Sequence, residues 1–192
     1  MTFRTCFTRW PERLPAGRGA PARAMLDVVY QYRLEPARVA DAALLAGMSQ
    51  ELVESGLKPA WDAARIAWHI RHPDSVVLAA RAGTAVVGFA IMRYADDTAH
   101  LNLLAVAPGH RRRGIARRLV AWLEDTALTA GTFTIALELR AGNAGARAFY
   151  AALGYRELAR VPGYYQGREC AIRMVRDVAR QPRGDAAPPP TP

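Results

Sequence analysis

The sequence predicts an α/β fold, a three-layer sandwich in which a mixed central sheet of about six to seven strands carries helices on both faces. Three observations support this prediction. Apolar runs with strand character alternate with segments of helical periodicity, glycine and proline mark the boundaries, and the elements follow the order βααβββαβαββ. Such alternation is typical of a sheet that is covered on two sides.

Each element is predicted from the spacing of its apolar residues and from the residues at its ends. Pro36 suits the first turn of the first helix, Pro73 ends the second helix, and Gly154 suits the position just after the last. The predicted strands are 28–33, 76–80, 85–92, 100–106, 134–140, 155–161 and 169–175. The predicted helices are 36–52, 59–72, 114–127 and 144–153.

Both ends of the chain differ in composition from its middle. Residues 1–24 mix Pro, Gly and Arg without periodicity, and residues 179–192 are rich in Pro and Ala, so we expect a disordered extension at each end. A chain of 192 residues suits one domain, which we place at 25–178. Met25, just before the first strand, is an alternative start of the native protein.

The basic charge of the chain is concentrated at one place. The net charge is +9, and of the 18 basic residues between positions 25 and 175, five lie between Arg111 and Arg118. A focused patch suits a compact polyanionic ligand better than a broad nucleic-acid face. We therefore expect no direct binding of nucleic acid.

Membrane association and metal binding have no signature in the sequence. No stretch reaches the roughly 18 apolar residues of a membrane span, and no secretory signal follows the basic start, so we expect a cytoplasmic protein. Cys6 and Cys170 do not have metal-ligand spacing. The histidines lack it too, so we expect no metal ion and interpret each as a surface or satisfied residue: His69, His72, His100 and His110.

The most informative segment runs from Leu101 to Ala116, where a strand leads through a basic loop directly into a helix. The first N–H groups of a helix lack intrahelical partners, and the helix dipole adds partial positive charge, so such an end binds phosphate. Gly114 allows close approach of the backbone, and the arginines add charge-assisted hydrogen bonds. The alternative is a solvated basic helix start.

This segment resembles a known family. Arg111-x-x-Gly114-x-Ala116 after an apolar strand is similar to the Gln/Arg-x-x-Gly-x-Gly/Ala motif of GNAT N-acetyltransferases. Residues 137–143 (LELRAGN) and 148–155 (AFYAALGY) resemble the second conserved block of that superfamily. The likeness covers roughly 27–176 and is closest to the ribosomal-protein alanine N-acetyltransferases. The stretch between Tyr165 and Gly167 is shorter than in that group, and residues 51–68 lack its usual sequence.

The resemblance implies an enzyme that uses acetyl-CoA as co-substrate. A splayed pair of parallel strands, 100–106 and 134–140, would admit the pantetheine arm. The resemblance also places an oxyanion-binding N–H at 104–106, where related proteins have a strand bulge. The residues expected to bind the cofactor are Leu104, Ala105, Val106, Arg111, Arg112, Arg113, Gly114, Ile115, Ala116, Arg117 and Asn143. Asn143 most simply also caps the following helix.

Glu138 is the candidate base for the attacking amine, directly or through water. Strand alternation places it on the face opposite Leu137 and Leu139, where partial shielding would raise its pKa into a range suited to base work. The alternative is a surface glutamate paired with Arg140 or another arginine.

Tyr150 is the candidate acid. Its phenol stays protonated at neutral pH and can donate to the departing sulfur. The alternative is simple packing against the sheet. Two further aromatic pairs are open to two interpretations. Tyr164 and Tyr165 line the acceptor slot or pack at a strand end. Trp61 and Trp68, seven apart on one helix face, are interpreted as core residues, and the alternative is a ligand cage.

Three hypotheses about the acceptor and the activity are compatible with the sequence. The leading one is a protein N-terminal α-amine, as the resemblance implies, and the second is a small amine such as a polyamine, an amino acid or an antibiotic. A non-catalytic acyl-CoA-binding module is a third alternative. An open groove would favour the peptide, and a closed acidic pocket would favour the polyamine. The oligomeric state, including a homodimer, stays open.

Overall fold

The computed structural model describes residues 32–95 and 97–179, and these form one seven-stranded sheet with four α-helices. The strands are β1 (Tyr32–Pro36), β2 (Ser75–Ala82), β3 (Ala85–Tyr94), β4 (Thr98–Val106), β5 (Thr134–Arg140), β6 (Arg156–Tyr165) and β7 (Glu169–Asp177). The helices are α1 (Ala42–Leu52), α2 (Ala63–Arg71), α3 (Ile115–Thr129) and α4 (Ala144–Ala151). The predicted extensions, 1–24 and nearly all of 179–192, lie outside the described residues.

The sheet is mixed, as predicted, and its strands lie in the order β1-β2-β3-β4-β5-β7-β6. Every neighbouring pair is antiparallel except β4 and β5, which α3 connects as a crossover. The parallel pairing joins residues 98–100 to 134–136 only, although β4 continues to Val106 and β5 to Arg140. The two strands therefore separate towards their carboxyl ends.

Helices cover both faces of the sheet, because the alternation of side chains along the strands gives each face its own apolar core. On the α3–α4 face, Leu119 and Tyr150 pack with Leu137 of β5. On the α1–α2 face, Ile66 packs with Phe89 of β3. All five side chains are fully buried, and full burial of a side chain of this size contributes about 1.5–3 kcal/mol. The three-layer prediction is confirmed.

The start of the domain differs from the prediction. The strand expected at 28–33 is found at Tyr32–Pro36, and residues 28–31 lie outside the described part. Pro36 is the last residue of β1 and not part of a helix. Proline has no backbone N–H to donate, and this is tolerated at Pro36 because β1 is an edge strand. The chain then makes a 3-10 turn, Val39–Asp41, before α1 begins.

The second helix also begins later than predicted. Asp62 caps α2, and its Oδ1 accepts a hydrogen bond from the backbone N–H of Arg65 at 2.7 Å, as aspartate at an N-cap commonly does. Trp61 therefore precedes the helix, and it is 1% exposed, whereas Trp68 on the helix is 45% exposed. The prediction that both tryptophans share a buried helix face is wrong, since only Trp61 belongs to the core.

Within the described residues, none of the helices has the length and apolar character that crossing a membrane requires.

Candidate active site

The predicted anion site coincides with the start of α3. The helix begins at Ile115, and its N-cap Gly114 has a left-handed φ of 76°. Arg112 also has a positive φ, 62°. Left-handed residues in such a turn let successive N–H groups converge on one concave point, which suits an anion. Glycine adopts this backbone without the cost that a Cβ would add.

The arginines of this loop have different roles. Arg111 turns back onto β4, where its Nε donates to the carbonyl oxygen of Val106 at 3.0 Å, and burial lowers its pKa. The guanidinium of Arg111 thus holds the loop against the strand. Arg112, Arg113 and Arg117 are exposed. Contacts from these three to a bound anion stay a prediction.

The gap between β4 and β5 lies next to this loop. Beyond His100 the ladder between the two strands stops, so alternate N–H groups of β4 face the gap and not a carbonyl of β5. The segment Leu104–Val106, predicted to supply an oxyanion donor, lies along this unpaired part of β4. Ile115, on the other side, buries its side chain in the core, so only its backbone can reach a ligand.

The strand bulge lies earlier than expected. Residues Leu104–Val106 keep a regular register with β3, and Asn102 is the extra residue, opposite the step from Ile91 to Met92. The side chain of Asn102 is fully buried, and neither of its polar atoms has a hydrogen-bond partner among the described residues. An unsatisfied buried polar group costs about 1–3 kcal/mol. The expectation of a bulge at 104–106 is therefore wrong, and Asn102 marks the point where the gap opens.

Helix α4 follows β5 and contains two predicted site residues, Asn143 at its N-cap and Tyr150 near its end. Asn143 caps the helix as predicted, since its Oδ1 accepts a hydrogen bond from the N–H of Ala146 at 3.0 Å. Its Nδ2 is buried and has no partner among the described residues. Tyr150 is fully buried on the α3–α4 face, with its ring 5.4 Å from that of Tyr155. The catalytic role of Tyr150 stays a prediction.

Glu138 is the centre of a polar cluster on the α1–α2 face of β5, opposite the apolar residues as predicted. Its side chain is 3% exposed, and three groups bind it. Nε of Arg173 donates to Oε1 at 2.7 Å, the hydroxyl of Tyr164 donates to Oε2 at 3.1 Å, and Nε2 of His100 lies 2.9 Å from Oε2. Arg140, the partner considered from the sequence, instead pairs with Glu169 at 2.9 Å.

The pKa of Glu138 is shifted in the direction opposite to the expected one. Burial alone would raise the pKa of this carboxyl group, but the hydrogen bond and charge of His100, followed by those of Arg173, lower it overall. The expected rise in pKa is therefore wrong. Glu138 is a buried carboxylate that stays ionised and accepts hydrogen bonds from its neighbours.

Two segments from distant parts of the chain meet beside this cluster. One is the loop between α1 and α2, and the other is the turn between β6 and β7. The side chain of Gln166 joins them, since its Oε1 accepts from the N–H of Lys58 at 3.1 Å and its Nε2 donates to the carbonyl of Lys58 at 3.0 Å. We call this pair the clasp. Tyr164, just before the turn, donates a hydrogen bond to Glu138, while Tyr165 is fully buried, and a role of either residue in acceptor binding stays a prediction.

The α1–α2 loop is itself held by a buried carboxylate. Oε1 of Glu54 accepts from the N–H of Ala60 at 2.6 Å, and its Oε2 lies 3.3 Å from the N–H of Trp61 and 3.2 Å from the hydroxyl of Ser49. Because Glu54 is 2% exposed, these bonds replace its hydration. Hydrogen bonds to the buried Glu54 carboxylate therefore hold the loop that carries Lys58 in place.

Several members of this site were not predicted from the sequence. His100 was interpreted as a surface or satisfied histidine, and Arg173, Asn102 and Gln166 were not singled out. Arg173 interrupts an apolar strand, but only the pairing of Glu138 with Arg173 in the β5–β7 register explains it. The sequence contains no local signal for contacts that depend on strand order.

The comparisons with known proteins agree with this architecture. Residues 43–155, more than half of the chain, match the acetyltransferase (GNAT) family. A ribosomal protein bS18-alanine N-acetyltransferase from Salmonella typhimurium is 42% identical over 93 residues, a match that covers 47% of this chain and 63% of the relative. The aligned part is thus less than two thirds of that relative. The catalytic subunit naa20 of the N-terminal acetyltransferase B complex from Schizosaccharomyces pombe is 42% identical over 66 residues, covering 34% of this chain and 37% of the relative.

A solved structure extends the likeness to the whole fold. The crystal structure of the ribosomal-protein-S18-alanine N-acetyltransferase from Escherichia coli superposes with a TM-score of 0.67 at 27% identity, covering 80% of this chain and 97% of that one. This chain belongs to the acetyltransferase (GNAT) family.

Proposed function

We propose that this chain transfers an acetyl group from acetyl-CoA to a primary amine, and that the amine is the α-amine of a protein N-terminus. The observation that carries the proposal is that two features lie at the two ends of one gap in the sheet. The concave loop before α3 lies at one end of the separation between β4 and β5, and the Glu138 cluster lies at the other.

The residues of the first feature fit the chemistry of a coenzyme A diphosphate. The loop combines unpartnered helix-start N–H groups with three exposed guanidinium groups, those of Arg112, Arg113 and Arg117. The buried Nδ2 of Asn143 supplies a donor that lacks a partner among the described residues. A bound thioester would supply the activated acetyl group, and the N–H groups of β4 along the gap would stabilise negative charge on its oxygen.

The residues of the second feature suit the handling of a proton. An amine attacks only as the free base, so a group near the gap must accept its proton. The Glu138 cluster places an ionised carboxylate and an imidazole in contact at this position. On the other side of the sheet, the phenol of Tyr150 is proposed to return a proton to the departing sulfur.

The charge balance of the Glu138 cluster favours a peptide acceptor over a polyamine. The carboxylate of Glu138 is matched by the guanidinium of Arg173, so the cluster is not a surplus of negative charge that would attract a polycation. The α1–α2 loop and the β6–β7 turn, joined through Lys58 and Gln166, are proposed to border the bound end of the peptide. By their names, one relative acetylates an alanine of ribosomal protein bS18 and another belongs to an N-terminal acetyltransferase complex, which supports a protein acceptor here.

A thiol-release assay tests this proposal. Purified protein is incubated with acetyl-CoA and a panel of acceptors: peptides that begin with Ala, Ser or Met, together with spermidine and free alanine. We expect saturable release of CoA thiol with the peptides, and mass spectrometry should place one acetyl group on the α-amine. Faster turnover of spermidine would replace the peptide by a small amine as the acceptor.

The same preparation separates the non-catalytic alternatives. An acyl-CoA-binding module would bind acetyl-CoA in calorimetry without releasing thiol with any acceptor. A nucleic-acid-binding protein would bind a duplex with an affinity that falls steeply with salt, and free CoA would not compete. Either result would contradict the proposed transferase activity.

A further inference from the structure

Arg173 of β7 is a cation whose hydrogen-bonding capacity is only partly used. It lies directly opposite Glu138 in the β5–β7 register, so the two side chains share the α1–α2 face of the sheet. Its Nε donates to Oε1 of Glu138 at 2.7 Å. A guanidinium group has five N–H donors, and no further hydrogen bond of this side chain is found among the described residues.

The remaining donors of Arg173 are accessible. Its side chain is 43% exposed, whereas that of Glu138 is 3% exposed. The contact with Glu138 is made through Nε, so the two Nη groups stay available at the outer end of the guanidinium group. Such a planar pair of donors matches the two oxygens of a second carboxylate.

The carboxylates of the chain on this face of the sheet are already bound. Glu138 is held by its own cluster, and Glu169 pairs with Arg140 at 2.9 Å. Glu54 is buried and accepts hydrogen bonds from backbone N–H groups. Among the described residues, none of these carboxylates other than Glu138 contacts Arg173. A carboxylate that arrives with a ligand therefore meets no competing anion from these residues.

We propose that Arg173 is a specificity-determining residue, and that its Nη groups bind an aspartate or glutamate side chain at the second or third position of the acceptor peptide. This inference rests on the proposed function, which brings the α-amine to the Glu138 cluster. Neighbouring strands lie about 4.8 Å apart and an extended peptide advances about 3.3 Å per residue. A peptide that runs from β5 across β7 thus brings one of these two positions to Arg173.

Peptides that differ in one side chain test this specificity. The acceptors begin with Ala and have Glu, Gln or Lys at the second position, and a further set has the same three residues at the third. We expect kcat/KM for the Glu peptide to exceed that for the Gln peptide about 10-fold at one position, because Gln keeps the shape and removes the charge. The Lys peptide should be the poorest acceptor, and the preference should decrease with ionic strength.

Substitution of Arg173 separates recognition of the acceptor from support of Glu138. In Arg173→Gln we expect the ratio of kcat/KM between the Glu and Gln peptides to fall to about 1. Loss of a partner of Glu138 alone would lower both values by the same factor and leave the ratio unchanged. Arg173→Lys keeps the charge without the planar pair of donors, so its ratio should be intermediate, at about 3.

The control is Arg168→Gln, which removes an exposed positive charge from the β6–β7 turn and should keep the ratio of the unchanged protein. The KM for acetyl-CoA should be the same in all variants. The ratio measured with the unchanged protein needs no variant, so it decides the matter even where a substitution prevents folding.

Two results would overturn the role of Arg173 and leave the proposed function intact. One is an equal kcat/KM for the Glu and Gln peptides at both positions in the unchanged protein. The other is a preference for the Glu peptide that persists in Arg173→Gln. Absence of thiol release with every acceptor would instead overturn the proposed function itself.

Discussion

The two ends of the proposed site are built in different ways. The cofactor end depends on one contiguous segment, in which β4, a loop and α3 follow each other and Gly114 sets the backbone. The acceptor end depends on side chains that meet from far apart in sequence. Glu138 contacts His100, Tyr164 and Arg173, which lie on three other strands, and Gln166 reaches Lys58 across 108 positions.

This difference indicates which end of the site tolerates side-chain substitutions. A site made by successive backbone N–H groups depends on local conformation, and many side chains are compatible with it. A site made by side chains from separate strands depends on strand order and on the packing of α1 and α2. We expect substitutions at the cofactor end to alter the KM for acetyl-CoA, and those at the acceptor end to alter the acceptor or the chemistry.

The largest expected effect tests whether chemistry also belongs to the cofactor side. Tyr150→Phe removes only a hydroxyl, and we expect kcat to fall about 100- to 10,000-fold because the departing sulfur loses its proton donor. The affinity for acetyl-CoA, measured by calorimetry, should hardly change. Tyr155→Phe is the matched control, since this buried neighbour lies 5.4 Å away from the Tyr150 ring and should keep its kcat. Equal kcat values for both variants would remove Tyr150 from the mechanism.

The next effect concerns the stability of the acceptor side. His69 of α2 is buried, with Nδ1 2.7 Å from the hydroxyl of Ser75 and its ring 5.0 Å from that of Trp61. Burial, followed by the charges of Arg65, Arg93 and His72, lowers the pKa of His69 to about 4.

The sign of the resulting pH dependence follows from proton counting. Between pH 6.5 and 4 the unfolded chain protonates His69 while the folded chain does not. The free energy of unfolding therefore has its full value above this window and decreases as the pH falls through it, by about 3 kcal/mol. Urea denaturation at several pH values measures the slope, and His69→Gln should remove this part of it. An identical slope in the variant would contradict a neutral buried His69.

A smaller effect tests the backbone of the cofactor end. Gly114→Ala forces a Cβ onto a left-handed residue that has no neighbouring atom within 4 Å, so only conformation is changed, at a cost of about 1–2 kcal/mol. We expect the KM for acetyl-CoA to rise about tenfold and the KM for the peptide to stay constant. Gly109→Ala is the control, because its added Cβ is equally free of contacts and its φ is not left-handed. Equal KM values in the two variants would contradict a role for the shape of the loop.

The smallest effect concerns the clasp. Gln166→Asn keeps an amide and suits the positive φ of 56°, but the shorter side chain cannot reach both backbone groups of Lys58. Loss of two exposed hydrogen bonds, each worth about 0.5–1.5 kcal/mol, should raise the KM for the peptide about 3- to 10-fold. Hydrogen exchange at the Lys58 amide should become faster. Arg168→Gln, on the same turn, is the control, and a peptide KM that is the same in both variants would show that the clasp does not contribute to peptide binding.

The sequence predicted the fold better than it predicted individual ends of elements. The mixed sheet, the helices on both faces and the strand 134–140 agree with the structure, because strong apolar periodicity decides them. Pro36 was placed in a helix, although it closes β1. A proline suits a helix start and an edge strand equally well, and only the position of β1 at the sheet edge distinguishes them.

In the candidate site, too, features set by local spacing were predicted, and features set by tertiary contacts were not. The start of α3, the cap by Asn143 and the face of Glu138 follow from local spacing, and the structure agrees with each. The partners of Glu138, its lowered pKa and the bulge at Asn102 were not predicted. A pKa depends on which charges surround a group in space, and no local pattern contains that information.

The α/β sandwich follows from local sequence patterns, and so does the place where a helix presents its first N–H groups beside a run of arginines. These properties depend on residues close in sequence, whose geometry is fixed by backbone sterics and apolar spacing. The contact of His100 with Glu138 and that of Gln166 with Lys58 exist only in the folded chain. Such contacts result from the order and register of strands, which the packing of the whole chain selects.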